Sequence, residues 1–194
     1  MINEALDFLV AQLNEYIQLK TSFASKVKLG MLFDDTGKEV AADNMIYCQL
    51  VNIEEERIGK AQLPVAPPVG SSFPIRNPEI KLNTCVQFAA IPGSDSSDYS
   101  TALQLLSLVI QFFQYRHVFN PSNSPTLPSN METLLMDLYP LSLENQNYLW
   151  GTLGAKYKPS VVYKLRLITV LDDSVLDAAG APRIIDQRIG KHPN

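Results

Sequence analysis

Residues 2 to 20 place Ile2, Ala5, Leu6, Leu9, Leu13, Tyr16 and Ile17 at spacings of three and four, with polar residues mostly between them. This pattern predicts an amphipathic helix, broadened by Phe8 and Val10, whose stripe seats on its own domain or on another subunit. Val27 to Phe33 suits a short strand, bracketed by Gly30 and the Asp34-Asp35-Thr36-Gly37 turn. Met45 to Ile53 is rich in strand formers with apolar residues on both faces. It predicts either a strand covered on both sides or one with a bulge near Leu50.

Glu79 to Ala90 alternates, with Ile80, Leu82, Val86, Phe88 and Ala90 on one side and Lys81, Asn83, Cys85 and Gln87 on the other, and predicts a half-buried strand. The loop Pro92 to Asp98 supplies an N-cap to a helix from Tyr99 to Gln114. That helix is apolar nearly all round, which implies burial in the centre of the domain or between its sheet and another chain. Met131 to Tyr139 alternates as a strand with one buried face. Ser142, with Glu144 in the first turn, starts a helix through Trp150 that ends at Gly151 or Gly154. Pro159 forbids helix at Lys158 and leads into a strand with Val161, Tyr163, Leu165 and Leu167 on one face and Lys164 and Arg166 on the other.

Two stretches resist regular structure. From Gly59 to Pro78, five prolines at 64, 67, 68, 74 and 78 exclude a helix or a central strand, leaving a long loop that either contacts a partner or is mobile. Asn120 to Asn130 is a second proline-containing loop. Together these elements predict an α+β fold, a mixed or antiparallel sheet of about four to six strands packed with two to three helices, over residues 1–170. Residues 171–194 form a tail of different character, in which Ile184, Ile185 and Ile189 favour docking as an arm over disorder.

At 194 residues the chain is long enough for a self-sufficient core. Its net charge of -4, without a cluster of Lys and Arg, argues against nucleic acid. The acidic start MINEALDFLV is no signal peptide, and no apolar run has the length of a membrane span, so the expectation is cytoplasmic. Cys48 and Cys85 lie in strand-like runs and read as buried free thiols, with a cross-strand disulfide as the alternative. His117 and His192 lack ligand or catalytic neighbours, and no nucleotide loop or nucleophile elbow is present. A hydrolase on Ser142 or Ser160 would need a histidine base from these unpromising positions. Neither catalysis, a cofactor nor a metal is expected.

Four blocks together resemble the tail-terminator, or cap, family of phage-tail-like contractile injection systems of the antifeeding prophage and Photorhabdus virulence cassette type. They are MINEALDFLVAQLNEYI, VNIEEER at Val51 to Arg57, LSLVIQFFQ at Leu106 to Gln114 with VFNPSNSPTLP after it, and LENQNYLWGTLGAKYKPSVVYKLRLITV. The resemblance covers most of residues 1–170 and implies a phage tail-terminator-like fold. It implies a homo-hexameric ring that ends the inner tube and sheath of an injection particle, assembled in the cytoplasm and then intracellular or released with the particle. Partners would be sheath and inner-tube subunits. A membrane-attachment adaptor at the cap end is the alternative function, and flotation with vesicles separates the two.

Partner contacts are expected at Glu54, Glu55 and Glu56, at the basic strand face of Lys164 and Arg166, and at Arg183 and Arg188 in the tail. One specific expectation is that Lys164 and Arg166 meet the acidic run of a neighbouring copy.

Overall fold

The computed structural model describes residues 1–34, 36–56, 72–76, 80–170 and 175–180. The chain divides into two compact units, Met1–Arg57 with Lys81–Val170, and Ile58–Ile80 with Leu171–Asn194.

In the first unit, α1 (Ile2–Thr21) and α2 (Ser96–Tyr115) pack with a six-stranded mixed sheet. The strands are β1 (Val27–Leu29), β2 (Met45–Glu55), β4 (Ile80–Ile91), β5 (Val118–Phe119), β6 (Leu134–Leu138) and β7 (Ser160–Val170), in the order β1-β2-β4-β7-β6-β5. β1 runs parallel to β2, and β2 antiparallel to β4. The pairs β5/β6 and β6/β7 are also antiparallel. The second unit contains a two-stranded antiparallel sheet of β3 (Ser72–Arg76) and β8 (Val175–Gly180).

The apolar stripes account for the main core. Ala5, Leu6, Leu9, Leu13 and Ile17 of α1 join Ala102, Leu105, Val109, Phe112 and Phe113 of α2 over one face of the sheet. That face presents Ile46, Cys48, Val86, Phe88, Leu134, Met136, Tyr163 and Leu165. Aromatic contacts knit the layers, with ring centroids 5.5 Å apart for Phe88 and Phe113 and 4.7 Å for Phe113 and Tyr163. A smaller apolar cluster of Leu32, Met45, Tyr47, Ala89, Ile91 and Trp150 lies on the opposite face at one end.

β2 shows both features that its two-faced pattern allows. Met45 to Gln49 are buried on both faces, and the register with β4 shifts between Leu50 and Asn52. β4, expected to be half-buried, is buried on both faces from Asn83 to Ile91. The reason is its place inside the sheet: Val86, Phe88 and Ala90 enter the main core while Ala89 and Ile91 enter the smaller cluster.

The predicted strand at Val27 to Phe33 is shorter and ends at Leu29. Beyond Gly30 the chain folds back on itself, with Val40 N–H donating to the Leu32 carbonyl and Leu32 entering the smaller cluster. The predicted loop from Gly59 to Pro78 contains β3, a strand of a two-stranded sheet rather than a central one, which is where Pro74 is tolerated. The other prolines of that loop lie outside the described residues.

α2 begins one turn earlier than predicted, at Ser96, because the Asp98 carboxylate accepts from the Asp95 N–H and fixes the first turn there. α3 (Leu143–Thr152) starts as predicted, with Ser142 Oγ accepting from the Asn145 N–H at 3.2 Å. Gly154, with φ of 64°, supplies its left-handed terminus. The Ala155 N–H bonds to the Trp150 carbonyl and the Gly154 N–H to that of Gly151, the paired bonds of a Schellman end.

Candidate partner-binding surfaces

The sheet face opposite α1 and α2 carries the charges singled out in the sequence. Lys164 Nζ of β7 reaches Glu54 Oε2 of β2 at 2.8 Å, spanning the intervening strand β4. The hydrogen bond to Glu54 raises the Lys164 pKa. Arg166 Nε lies 2.9 Å from Asp137 Oδ2 on β6, diagonally across the strands and two residues on from its directly opposed partner Leu135. Glu56 Oε2 accepts from Asn83 Nδ2 at 2.7 Å.

The basic pair expected to meet a neighbour's acidic run is therefore matched within one chain, Lys164 by Glu54 and Arg166 by Asp137. Each of these pairs is partly solvated and therefore weak, so the same groups stay open to exchange with charges from outside the chain. Arg183 and Arg188 lie outside the described residues.

Burial raises the thiol pKa of both cysteines, at Cys85 with a further push from Glu54 that Lys164 opposes. Both thiols are free, and Cys48 belongs to the main core while Cys85 is paired across from Asn52 beyond the register shift. Burial also lifts the Tyr163 phenol to about 12. His117 is exposed. Among the described residues no cluster of His, Cys, Asp and Glu is suited to a metal, and no helix is long and apolar enough to cross a membrane.

A second surface was missed by the periodicity of the sequence. α3 buries only Trp150, leaving Leu143 86% and Tyr148 64% exposed. Leu138, Tyr139 and Tyr157 are also exposed. A ten-residue helix is marginal in water, and one buried anchor is little tertiary support. A cleft lies beside it, lined by Leu138, Tyr139, Pro140, Gln146, Ser160 and Val162. The signal in the sequence was compositional, tyrosines and a leucine at 139, 143, 148 and 157 outside any stripe, while Leu138, on the alternating face expected to be buried, is exposed.

α2 is not buried all round within the chain. Tyr99, Leu103 and Ile110 remain exposed on its outer side.

The Pvc16 N-terminal domain family model matches residues 4–183 of the chain. The fold is that of a solved structure described as the sheath/tube terminator of an extracellular contractile injection system, PVC, in its extended state. The similarity has a TM-score of 0.68 at 14% identity, covering 100% of this chain and 64% of the other. The chain thus spans just under two thirds of that structure's length. A second solved structure, the tube-terminating cap of the anti-feeding prophage, matches with a TM-score of 0.48 at 16% identity, covering 89% of this chain and 58% of the other. No curated protein sequence matches the chain.

Proposed function

Because the chain belongs to the Pvc16 N-terminal domain family of tail terminators, we propose that it caps a phage-tail-like contractile injection particle, ending both inner tube and sheath as a non-catalytic homo-hexameric ring. The observation that carries this reading is the family match over residues 4–183, most of the chain. The common fold with a sheath/tube terminator over the full chain supports it.

A ring gives a physical route to termination. A head-to-tail interface that closes on itself leaves no open edge around its circumference, and axial growth stops where the ring's outer face offers no site for a further layer. We assign partner contact to Glu54, Glu55, Glu56, Lys164 and Arg166 on the first unit and to Arg183 and Arg188 in the tail. We also take residues 1–170 as the terminator-like domain and 171–194 as an arm that docks on an adjacent subunit or on the sheath. Assembly would take place in the cytoplasm, and the cap would then travel with the particle.

The test is particle assembly with and without this chain. The reading expects tubes of uncontrolled length, or sheaths detached at one end, when it is missing, and restoration when it is supplied. Uniform, capped particles in its absence would reject a terminator role.

A further inference from the structure

The six-stranded sheet ends in β1 on one side and β5 on the other, and an asparagine amide covers outward-facing backbone on each. On β1 the inner groups belong to alternate residues: the Lys26 carbonyl accepts from Ile46 N–H, and Gly30 N–H donates to the Cys48 carbonyl. Val27 therefore turns its groups away from the sheet, and Asn14 of α1 meets both. Its Nδ2 donates to the Val27 carbonyl and its Oδ1 accepts from the Val27 N–H, each at 2.9 Å. Exchange of both bonds with a single residue is the hydrogen-bonded pair of an antiparallel ladder.

On β5 the His117 carbonyl faces inward and accepts from Met136 N–H, so the Val118 carbonyl and the Asn120 N–H face outward. Asn123 takes both of these. Its Nδ2 donates to the Val118 carbonyl at 3.0 Å, and its Oδ1 accepts from Asn120 N–H at 3.0 Å. Bonding to the two residues that flank one strand residue, here Phe119, is the pattern a parallel neighbour would make. The two amides thus stand in for the two kinds of strand that could be added.

Each amide is held from behind. Asn14 is fixed on α1 beside Leu13 of the main core. Buried Ser124 donates through Oγ to Asn123 Oδ1 at 2.7 Å, and Arg116 Nη2 donates both to the Asn123 carbonyl and to Ser124 Oγ. The side chains nearby make an uncovered edge hazardous. Leu29 and Met31 are exposed along the β1 side, and exposed Tyr115 precedes β5. An unpaired edge beside exposed apolar groups is a template for another chain, and Lys28 on β1 and Pro121 after β5 act against it in the same sense as the amides.

We propose that Asn14 and Asn123 are strand mimics that refuse a strand from a second copy of the chain, so that the sheet is not extended across copies at β1 or β5. Joining β1 of one copy to β5 of the next would be a head-to-tail contact, and a head-to-tail contact that does not close runs on as a filament. One side chain at each end of the sheet blocks that route, whatever surfaces the protein uses to assemble.

The test uses the full chain with both asparagines replaced, as N14V/N123V in one protein and N14K/N123K in another. Both lose the same hydrogen bonds, but only valine leaves the edges open, because a lysine on an edge opposes an incoming strand. The lysines also bring the net charge of -4 closer to zero, which by itself favours association, so added net charge cannot produce the expected contrast. Native mass against concentration and amide hydrogen exchange are measured beside the wild type. The valine protein is expected to form species heavier than any of the wild type, with exchange slowed on association at Val27 to Leu29 or at Val118 to Asn120. The lysine protein is expected to keep the wild-type mass. Asn123 is exposed, so N123V and N123K alone carry the same contrast at β5 should the Asn14 variants unfold. Three results overturn the proposal: a valine protein of wild-type mass, valine and lysine proteins that associate alike, or association without slowed exchange at either edge.

Discussion

Asn14 of α1 pairs through its side chain with both backbone groups of Val27. Its Nδ2 donates to the Val27 carbonyl at 2.9 Å, and its Oδ1 accepts from the Val27 N–H at 2.9 Å. Val27 belongs to the edge strand β1, whose inner side pairs with β2 through the neighbouring Lys26 carbonyl and Gly30 N–H. One amide thus closes the outer edge of the sheet at this point, in the way an added strand would.

Asn14→Ala is expected to lower stability by about 1 to 3 kcal/mol, because it leaves a part-buried donor and acceptor without partners. Asn14→Asp keeps the acceptor alone and should fall between the two. Urea denaturation of the three proteins gives the ranking, and equal midpoints would contradict the role given to this contact.

Among the described glycines, Gly93 is held by contact, Gly154 by its conformation, and Gly151 has open space around it. A Cβ on Gly93 would clash with Asp98 Oδ2, displacing the carboxylate that starts α2 and accepts from Asn44 Nδ2. Gly93→Ala should therefore cost about 1 to 3 kcal/mol. Gly151 lies inside α3 with nothing near its Cβ position, so Gly151→Ala should stabilise by roughly 0.5 to 1 kcal/mol. Gly154→Ala, at a φ of +64°, should destabilise by roughly 1 kcal/mol. Thermal unfolding of the three variants tests the signs.

The Glu54 and Lys164 pair has a defined pH signature. Hydrogen bonding to Glu54 raises the lysine pKa in the folded state. A raised pKa contributes stability that is complete below the unfolded lysine value near ~10.4 and is lost as pH rises through the folded value. Both groups are partly exposed, so solvent screening limits the coupling to about 0.2 to 1 kcal/mol. A double-mutant cycle with Glu54→Gln and Lys164→Met should show that coupling at pH 8 and its loss as the pH is raised through the folded lysine value. Coupling unchanged across this range would contradict the assignment.

The two thiols should react only through opening of the sheet. Cys48 is sealed in the main core and Cys85 is buried at the charged end of β4, and burial raises both pKa values. Ellman's reagent should therefore modify both slowly in the native protein and rapidly in denaturant, with Cys85 the faster of the two. Fast native labelling of Cys48 would show that β2 is not held as described.

The helices were legible because their apolar spacing and caps agree. Ser142 predicted the start of α3 to the residue, and the stripe from Ala5 to Ile17 became the core-facing side of α1. The burial of β4 was misread because Asn83 and Gln87 look solvent-facing in a one-dimensional pattern. In the fold Asn83 finds Glu56, and Gln87 finds Gln49 and Ser160. β5 has only two residues and no period to detect. For the surface, the charged residues were identified but not their mates, since Glu54 and Lys164 are separated by more than half the chain and meet only through the strand order. The cleft was invisible for a related reason: its walls come from β6, α3 and the start of β7, and neither tyrosine nor serine carries a pattern in sequence.

The central claim is that this chain acts as a ring at the end of a particle. The most direct measurement is its copy number there, taken by native mass determination of the protein in solution and by electron microscopy with stoichiometric labelling of purified particles. The account predicts six copies at one end of each particle. A strict monomer in solution that is absent from particle ends would contradict it.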